Sequence, residues 1–89
     1  MPHLSQNELK DLLEKAKKEI TIGGRYVHYK TSLHTYIVKD VVIFEATNEP
    51  YVVYQAEYGE EITFARAASV WVEKVKWQNS FMPRFKKVN

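Results

Sequence analysis

After Gly23-Gly24 the spacing of apolar residues changes from a period near 3.6 to a period of 2. No single type of secondary structure accommodates both periods. The 89 residues must therefore combine a helix with strands around one core. On the N-terminal side Leu9, Leu12, Leu13, Ala16 and Ile20 form one apolar stripe. Ser5 stands in the N-cap position with Glu8 three residues on, a capping box, and Leu4 and Leu9 occupy the staple positions. Glu14 with Lys18 and Lys15 with Glu19 are i,i+4 pairs in the favoured order. The predicted helix spans 5–22 and is stopped by the glycine pair, which takes the left-handed C-cap conformation cheaply. A helix of this length is marginal alone. Its stripe must dock, and the expected place is an open end or exposed edge of the sheet.

The β-domain is predicted over 23–87, within a single domain covering 1–89. Arg25 to Lys30 reads as a strand with Tyr26 and His28 on one face and Val27 and Tyr29 on the other. Thr31-Ser32 reads as a turn. Tyr36 to Glu45 is a second strand, with a bulge expected near Lys39-Asp40, where alternation breaks. Thr47 to Pro50 turns into a third strand, Tyr51 to Tyr58, with Val52, Tyr54, Ala56 and Tyr58 on one side. Gly59-Glu60-Glu61 turns into Ile62 to Arg66. Ala67 to Val70 suits one helical turn, Trp71 to Trp77 a fifth strand, Gln78 to Ser80 a loop, and Phe81 to Asn89 a basic tail. The fold class is α+β, mostly β: an N-terminal amphipathic helix, then a five-stranded antiparallel curled sheet or SH3-like barrel.

Hydrophobic residues make up 45% of the chain, enough for a core, and six Tyr, four Phe and two Trp enlarge the area a small core can bury. The absence of cysteine excludes a disulfide scaffold, a thiolate metal site and a Cys nucleophile. It fits a reducing, cytoplasmic compartment. Met1-Pro2-His3 opens no signal peptide, and the longest apolar run, Val41 to Phe44, is far short of a membrane span. A net charge of +2 neither demands nor forbids a polyanionic partner.

Gly24-Arg25-Tyr26-Val27-His28-Tyr29-Lys30, Tyr36, Thr47, Val52-Val53-Tyr54, Tyr58, Arg66 and Pro83-Arg84-Phe85 follow one another in a characteristic order. Over about residues 23–87 this series resembles a bacterial family of small domains of unknown function, number 1653. The family's pattern runs G-x-Y-x-H-Y-K, H-x-E-T, V-V-Y, L-Y, W-V-R-P and P-R-F. Gly24, Tyr29, Pro83, Arg84 and Phe85 correspond to its structural motif positions. The resemblance implies a domain type and no reaction. Two departures stand out. H-x-E-T becomes Phe44-Glu45-Ala46-Thr47, so Phe44 and Ala46 replace a His and a Glu, and W-V-R-P becomes Phe64-Ala65-Arg66-Ala67.

No nucleophile motif, P-loop or G-x-G-x-x-G is present. The serines occupy cap, turn or loop contexts, and the carboxylate pairs Glu60-Glu61 and Glu45/Glu49 flank turns. Of His3, His28 and His34, the last two are expected to face each other across a turn, without an Asp or Glu at metal-ligand spacing. No metal and no cofactor are expected. His28 reads first as a partly buried ring that holds the sheet, then as a ligand contact. Arg66 reads first as an edge arginine paired with Glu73, then as an anion clamp. Arg84 is expected in a buried ion pair. Tyr26, Tyr36, Tyr54 and Tyr58 read first as core, then as a stacking surface for bases.

The favoured function is a small binding or accessory module that recognises a small ligand or a protein partner through Tyr26, His28, Tyr54 and Arg66. A nucleic-acid-binding barrel is the first alternative, disfavoured because Glu45, Glu49, Glu57, Glu60 and Glu61 break up any basic face. An enzyme acting on a small phosphorylated or glycosylated compound is the second. Open sheet edges predict a homodimer.

Overall fold

The computed structural model describes residues 4–88; His3 lies outside them. Helix α1 runs from Gln6 to Glu19 and carries the predicted capping box. Ser5 Oγ accepts from the Glu8 amide at 3.1 Å, and the Glu8 carboxylate accepts from the Ser5 amide at 3.0 Å. The backbone hydrogen bond to Ser5 holds the Glu8 carboxyl below its usual value. The helix ends three residues earlier than predicted, because Ile20 turns extended to plunge into the core. The glycines serve the following turn instead. The Gly24 amide closes on the Thr21 carbonyl at 3.0 Å while Gly23 takes φ +84°, the third-position geometry that demands glycine in a type II turn. Gly24 is packed so closely that a Cβ there would meet the Thr21 carbonyl oxygen at 3.0 Å and the Tyr26 ring at 3.1 Å.

The strands are β1 (Arg25–His28), β2 (Thr31–Phe44), β3 (Glu49–Ala56) and β4 (Thr63–Ala67), then the short helix α2 (Ala68–Trp71), then β5 (Lys74–Trp77), β6 (Ser80–Pro83) and β7 (Phe85–Lys87). The five-stranded antiparallel sheet has the order β4-β3-β2-β1-β7; β5 and β6 form a separate hairpin. The sheet does not close into a barrel: β4 and β7 are its two open edges. The expected bulge is present, as a register shift between Val38 and Asp40, and a second shift separates Val27 from His28. Such irregularities bend a strand and deepen its twist.

Several predicted boundaries move. The turn after β1 is Tyr29-Lys30, and Thr31 already belongs to β2. The turn before β3 falls at residues 45–48, with Pro50 inside the strand. Trp71 belongs to α2, so the predicted Trp71–Trp77 strand shortens to β5 and leaves the main sheet for the hairpin. Gln78 and Asn79 are a tight turn, both at positive φ. The basic tail folds into β6 and β7, and β7 supplies the fifth strand of the sheet.

One face of the sheet is covered and holds the core. Val52, Tyr54 and Ala56 alternate inward along β3, as predicted, against Val38 and Val41 of β2. Helix α1 lies across β2 and β3 and contributes Ala16, with Ile20 entering the core just past its end, so it covers the sheet's face and not an edge. Trp71 stacks flat on Phe85 at 3.8 Å between ring centroids, and meets Tyr26 and Tyr54 edge-on at 5.3 and 4.9 Å. Flat, the sheet would hold its edges roughly 19 Å apart, four spacings of about 4.8 Å. Yet the Arg66 guanidinium of β4 sits 5.3 Å from the Phe85 ring of β7. The sheet is therefore curled around its aromatic core.

Candidate functional site

Alternation and register put Tyr26, His28, Tyr54 and Arg66 on the covered side of the sheet. They differ in access. Tyr26 and Tyr54 are 5% and 6% exposed and belong to the core. The Tyr26 hydroxyl accepts from the Thr21 amide at 3.0 Å and so pins the turn after α1. His28 and Arg66 are half-buried at the margin of this core. Arg66 is not paired with Glu73; that carboxylate takes Arg84 at 2.8 Å. The Arg84–Glu73 pair is not the buried ion pair expected: the arginine side chain is half-buried and the carboxylate is exposed. Among the described residues Arg66 has no carboxylate partner, and its guanidinium rests over Phe85.

The two described histidines do not meet. His28 packs against Tyr29 and edge-on to Phe85, at 4.5 and 5.1 Å between centroids. His34 lies 3.9 Å from the Tyr58 ring, and Tyr58 shares a 3.0 Å hydroxyl contact with Tyr36. Burial, followed by that hydrogen bond, pushes the Tyr36 phenol up to about 12. Among the described residues no group of three or more His, Cys, Asp or Glu is placed to hold a metal ion.

Two concavities are lined by predicted site residues: one of about 500 Å³ by Tyr26 with Trp71, Pro83 and Phe85, and an open groove of about 470 Å³ beside the β1–β2 turn by His28. Val27, Tyr29, Met82 and Pro83 supply apolar walls, and His28 and Thr31 add polar groups. Lys30 and Lys86 flank it. Neither lysine has a carboxylate partner among the described residues. Two tertiary pairings build the groove. Strand β7 runs antiparallel to β1 and sets Lys86 directly opposite Val27. The β5–β6 hairpin brings Met82 alongside, while Trp77 meets Tyr29 edge-on at 5.5 Å.

The electrostatics at the groove are one-sided. Burial lowers the His28 pKa, and Arg66, Arg84 and Lys30 lower it further, so the surroundings favour the neutral ring. Its Nδ1 accepts from the Lys30 amide at 3.3 Å, which assigns the ring proton to Nε2 and makes that nitrogen a donor. An apolar slot with cations at its rim and a neutral donor in its wall suits an anion with an apolar body. Of the predicted site residues, the groove takes His28 alone, joined by Tyr29 and Pro83 from the motif positions. Lys86 and Met82 escaped sequence reasoning. Phe85-Lys86-Lys87-Val88 does not alternate, so the tail carried no strand signal that would have placed Lys86.

Phe44 and Ala46 lie at the other end of the antiparallel sheet. Phe44 closes β2 with its ring 4.9 Å from Tyr51, and Ala46 falls in the β2–β3 turn. Their departure from the resembled pattern leaves the groove untouched.

A crystal structure of a DUF1653 protein from Bordetella bronchiseptica is similar to this chain, with a TM-score of 0.65 and 29% sequence identity over 74% of this chain and 85% of that one. No curated protein matches. The sequence profile of DUF1653, a protein of unknown function, matches residues 24–87, from the packed glycine before β1 to the last residue of β7. The chain thus belongs to the DUF1653 family.

Proposed function

We propose that this domain is a small binding module, bacterial and cytoplasmic, whose ligand is an anion carrying an apolar or aromatic body. The observation that carries this reading is the groove, where Lys30 and Lys86 flank apolar walls without a carboxylate to neutralise them. The ligand's phosphate or carboxylate meets the lysines, and its body lies against Val27, Tyr29, Met82 and Pro83. A volume of about 470 Å³ falls in the range of small-molecule sites. Tyr26 and Tyr54 belong to the core and do not line the groove, and Arg66 adds positive field at His28. An enzymatic reading needs a carboxylate beside His28. The charged groups acting on His28 are cations.

Phenyl phosphate tests this reading, with Trp77 fluorescence or calorimetry as the readout. Lys30→Gln and Lys86→Gln should each weaken binding about three- to fivefold, the effect of one solvated ion pair. Absence of binding, or binding indifferent to both substitutions, would overturn it.

One observation favours a nucleic-acid reading as the alternative. Phe81 is 75% exposed on the outer face of the β5–β6 hairpin, directly opposite Lys76. Binding of single-stranded nucleic acid with a steep salt dependence, lost in Phe81→Ala, would support that surface over the groove.

A further inference from the structure

The backbone pairing of β3 with β4 fixes the direction of every N–H and C=O on the β4 edge. Directly opposed antiparallel residues alternate between pairs that exchange both hydrogen bonds and pairs that exchange none. The Ala56 amide donates to the Ile62 carbonyl at 3.0 Å, in register with the rest of the ladder. Tyr54–Phe64 and Val52–Arg66 are then the exchanging pairs. Thr63, Ala65 and Ala67 consequently turn their backbone groups away from β3. No further strand lies on that side among the described residues.

The two edges of the sheet are protected differently. Strand β7 carries Lys86 and Lys87, and a charged edge resists pairing. Strand β4 reads Thr-Phe-Ala-Arg-Ala, with Arg66 its one charge, and Thr63, Phe64 and Ala65 are exposed.

We propose that β4 pairs antiparallel with β4 of a second copy of this chain, about a two-fold axis through Ala65. The strand is self-complementary in that register. Ala65 exchanges both hydrogen bonds with its counterpart, and Thr63 faces Ala67 of the second copy. Phe64 stands opposite Arg66 of the second copy, and the symmetry repeats this contact. These are non-exchanging pairs, whose side chains approach most closely. A guanidinium is attracted to an aromatic face. Pairing thus gives Arg66 a second aromatic neighbour where it has no carboxylate, and covers Phe64, which is 41% exposed. Centring the axis on Arg66 would set two guanidiniums side by side, so charge selects the Ala65 register. The sheets of the two copies become continuous. The groove lies at the opposite edge of each sheet and plays no part.

Sedimentation equilibrium of the intact chain, from roughly 10 μM to about 1 mM, tests the pairing in the affinity range of small interfaces. The mass should rise from 10.5 kDa toward twice that value. Ala65→Pro removes an N–H that points to solvent in the single copy, a change an edge strand tolerates. Ala65→Lys keeps the backbone and sets two like charges about the axis. Both variants should stay at 10.5 kDa with an unchanged far-UV spectrum. Should the proline variant fail to fold, the lysine variant decides. A wild-type chain that remains monomeric at the highest concentration, or a folded Ala65→Lys chain that dimerises like wild type, would overturn the proposal.

Discussion

Replacing Trp71 by alanine should be among the costliest single changes to this fold. Trp71 is 2% exposed and comes from a helix of four residues, Ala68 to Trp71, that has little stability of its own. Its ring is the piece that the curled sheet closes on, with Phe85 stacked against it and Tyr26 and Tyr54 at its edges. Truncation of a buried Trp costs about 3–5 kcal/mol through lost transfer energy and the cavity left behind. A domain of 89 residues has a total of roughly 4–13 kcal/mol to lose. The melting midpoint should fall by about 12–40 °C, at some 4–8 °C per kcal/mol for this size. Trp71→Phe keeps a ring on Phe85 and should lose about half as much. Urea unfolding followed by far-UV circular dichroism and by the remaining Trp77 measures both. Phe81→Ala, at an exposed position, is the control and should stay within about 0.5 kcal/mol of wild type. A loss below about 1 kcal/mol for Trp71→Ala would refute the view that α2 plugs the core.

Two further predictions follow from local chemistry. Ser5→Ala removes the cap at the start of α1 and should cost about 1 kcal/mol in urea unfolding, with Ser5→Thr recovering most of it. Glu57 is held by both nitrogens of an Arg25 fork, at 2.7 and 3.0 Å, and by the Thr35 hydroxyl at 2.7 Å. These bonds, Arg25 first, lower its carboxyl from 4.5 to about 2. The folded-state value lies below the unfolded one. Its contribution is therefore complete above about pH 4.5, shrinks as pH falls, and is gone below about pH 2. Wild type and Glu57→Gln should differ by a constant amount near neutral pH and converge in acid; a difference independent of pH would contradict the assignment.

What was legible in the sequence was local. The capping box and the apolar stripe of α1 lie within a few residues of one another, and the bulge near Lys39-Asp40 is written as a break in alternation. Strands β1 to β4 follow from period-2 patterning, and their register from the hydrophobic face. Trp71 was misread because a large apolar residue before an alternating run fits a strand as well as a helical turn. Only its stacking on Phe85, fourteen positions away in the sequence, decides the matter. The same holds for β7. Three residues rich in lysine carry little strand signal, and their pairing with β1 depends on a contact between distant parts of the chain. The candidate site inherits that limit. His28 stood out because histidine is chemically conspicuous. Lys86 and Met82 did not, because they reach the groove only through tertiary pairing.

The most direct test of the groove as a binding site is amide chemical-shift mapping of the isotope-labelled chain during a phenyl phosphate titration. The reading predicts saturable shifts confined to residues 27–31 and 82–86, lost in the Lys30→Gln/Lys86→Gln double variant. Shifts centred elsewhere, or none up to millimolar ligand, would contradict it.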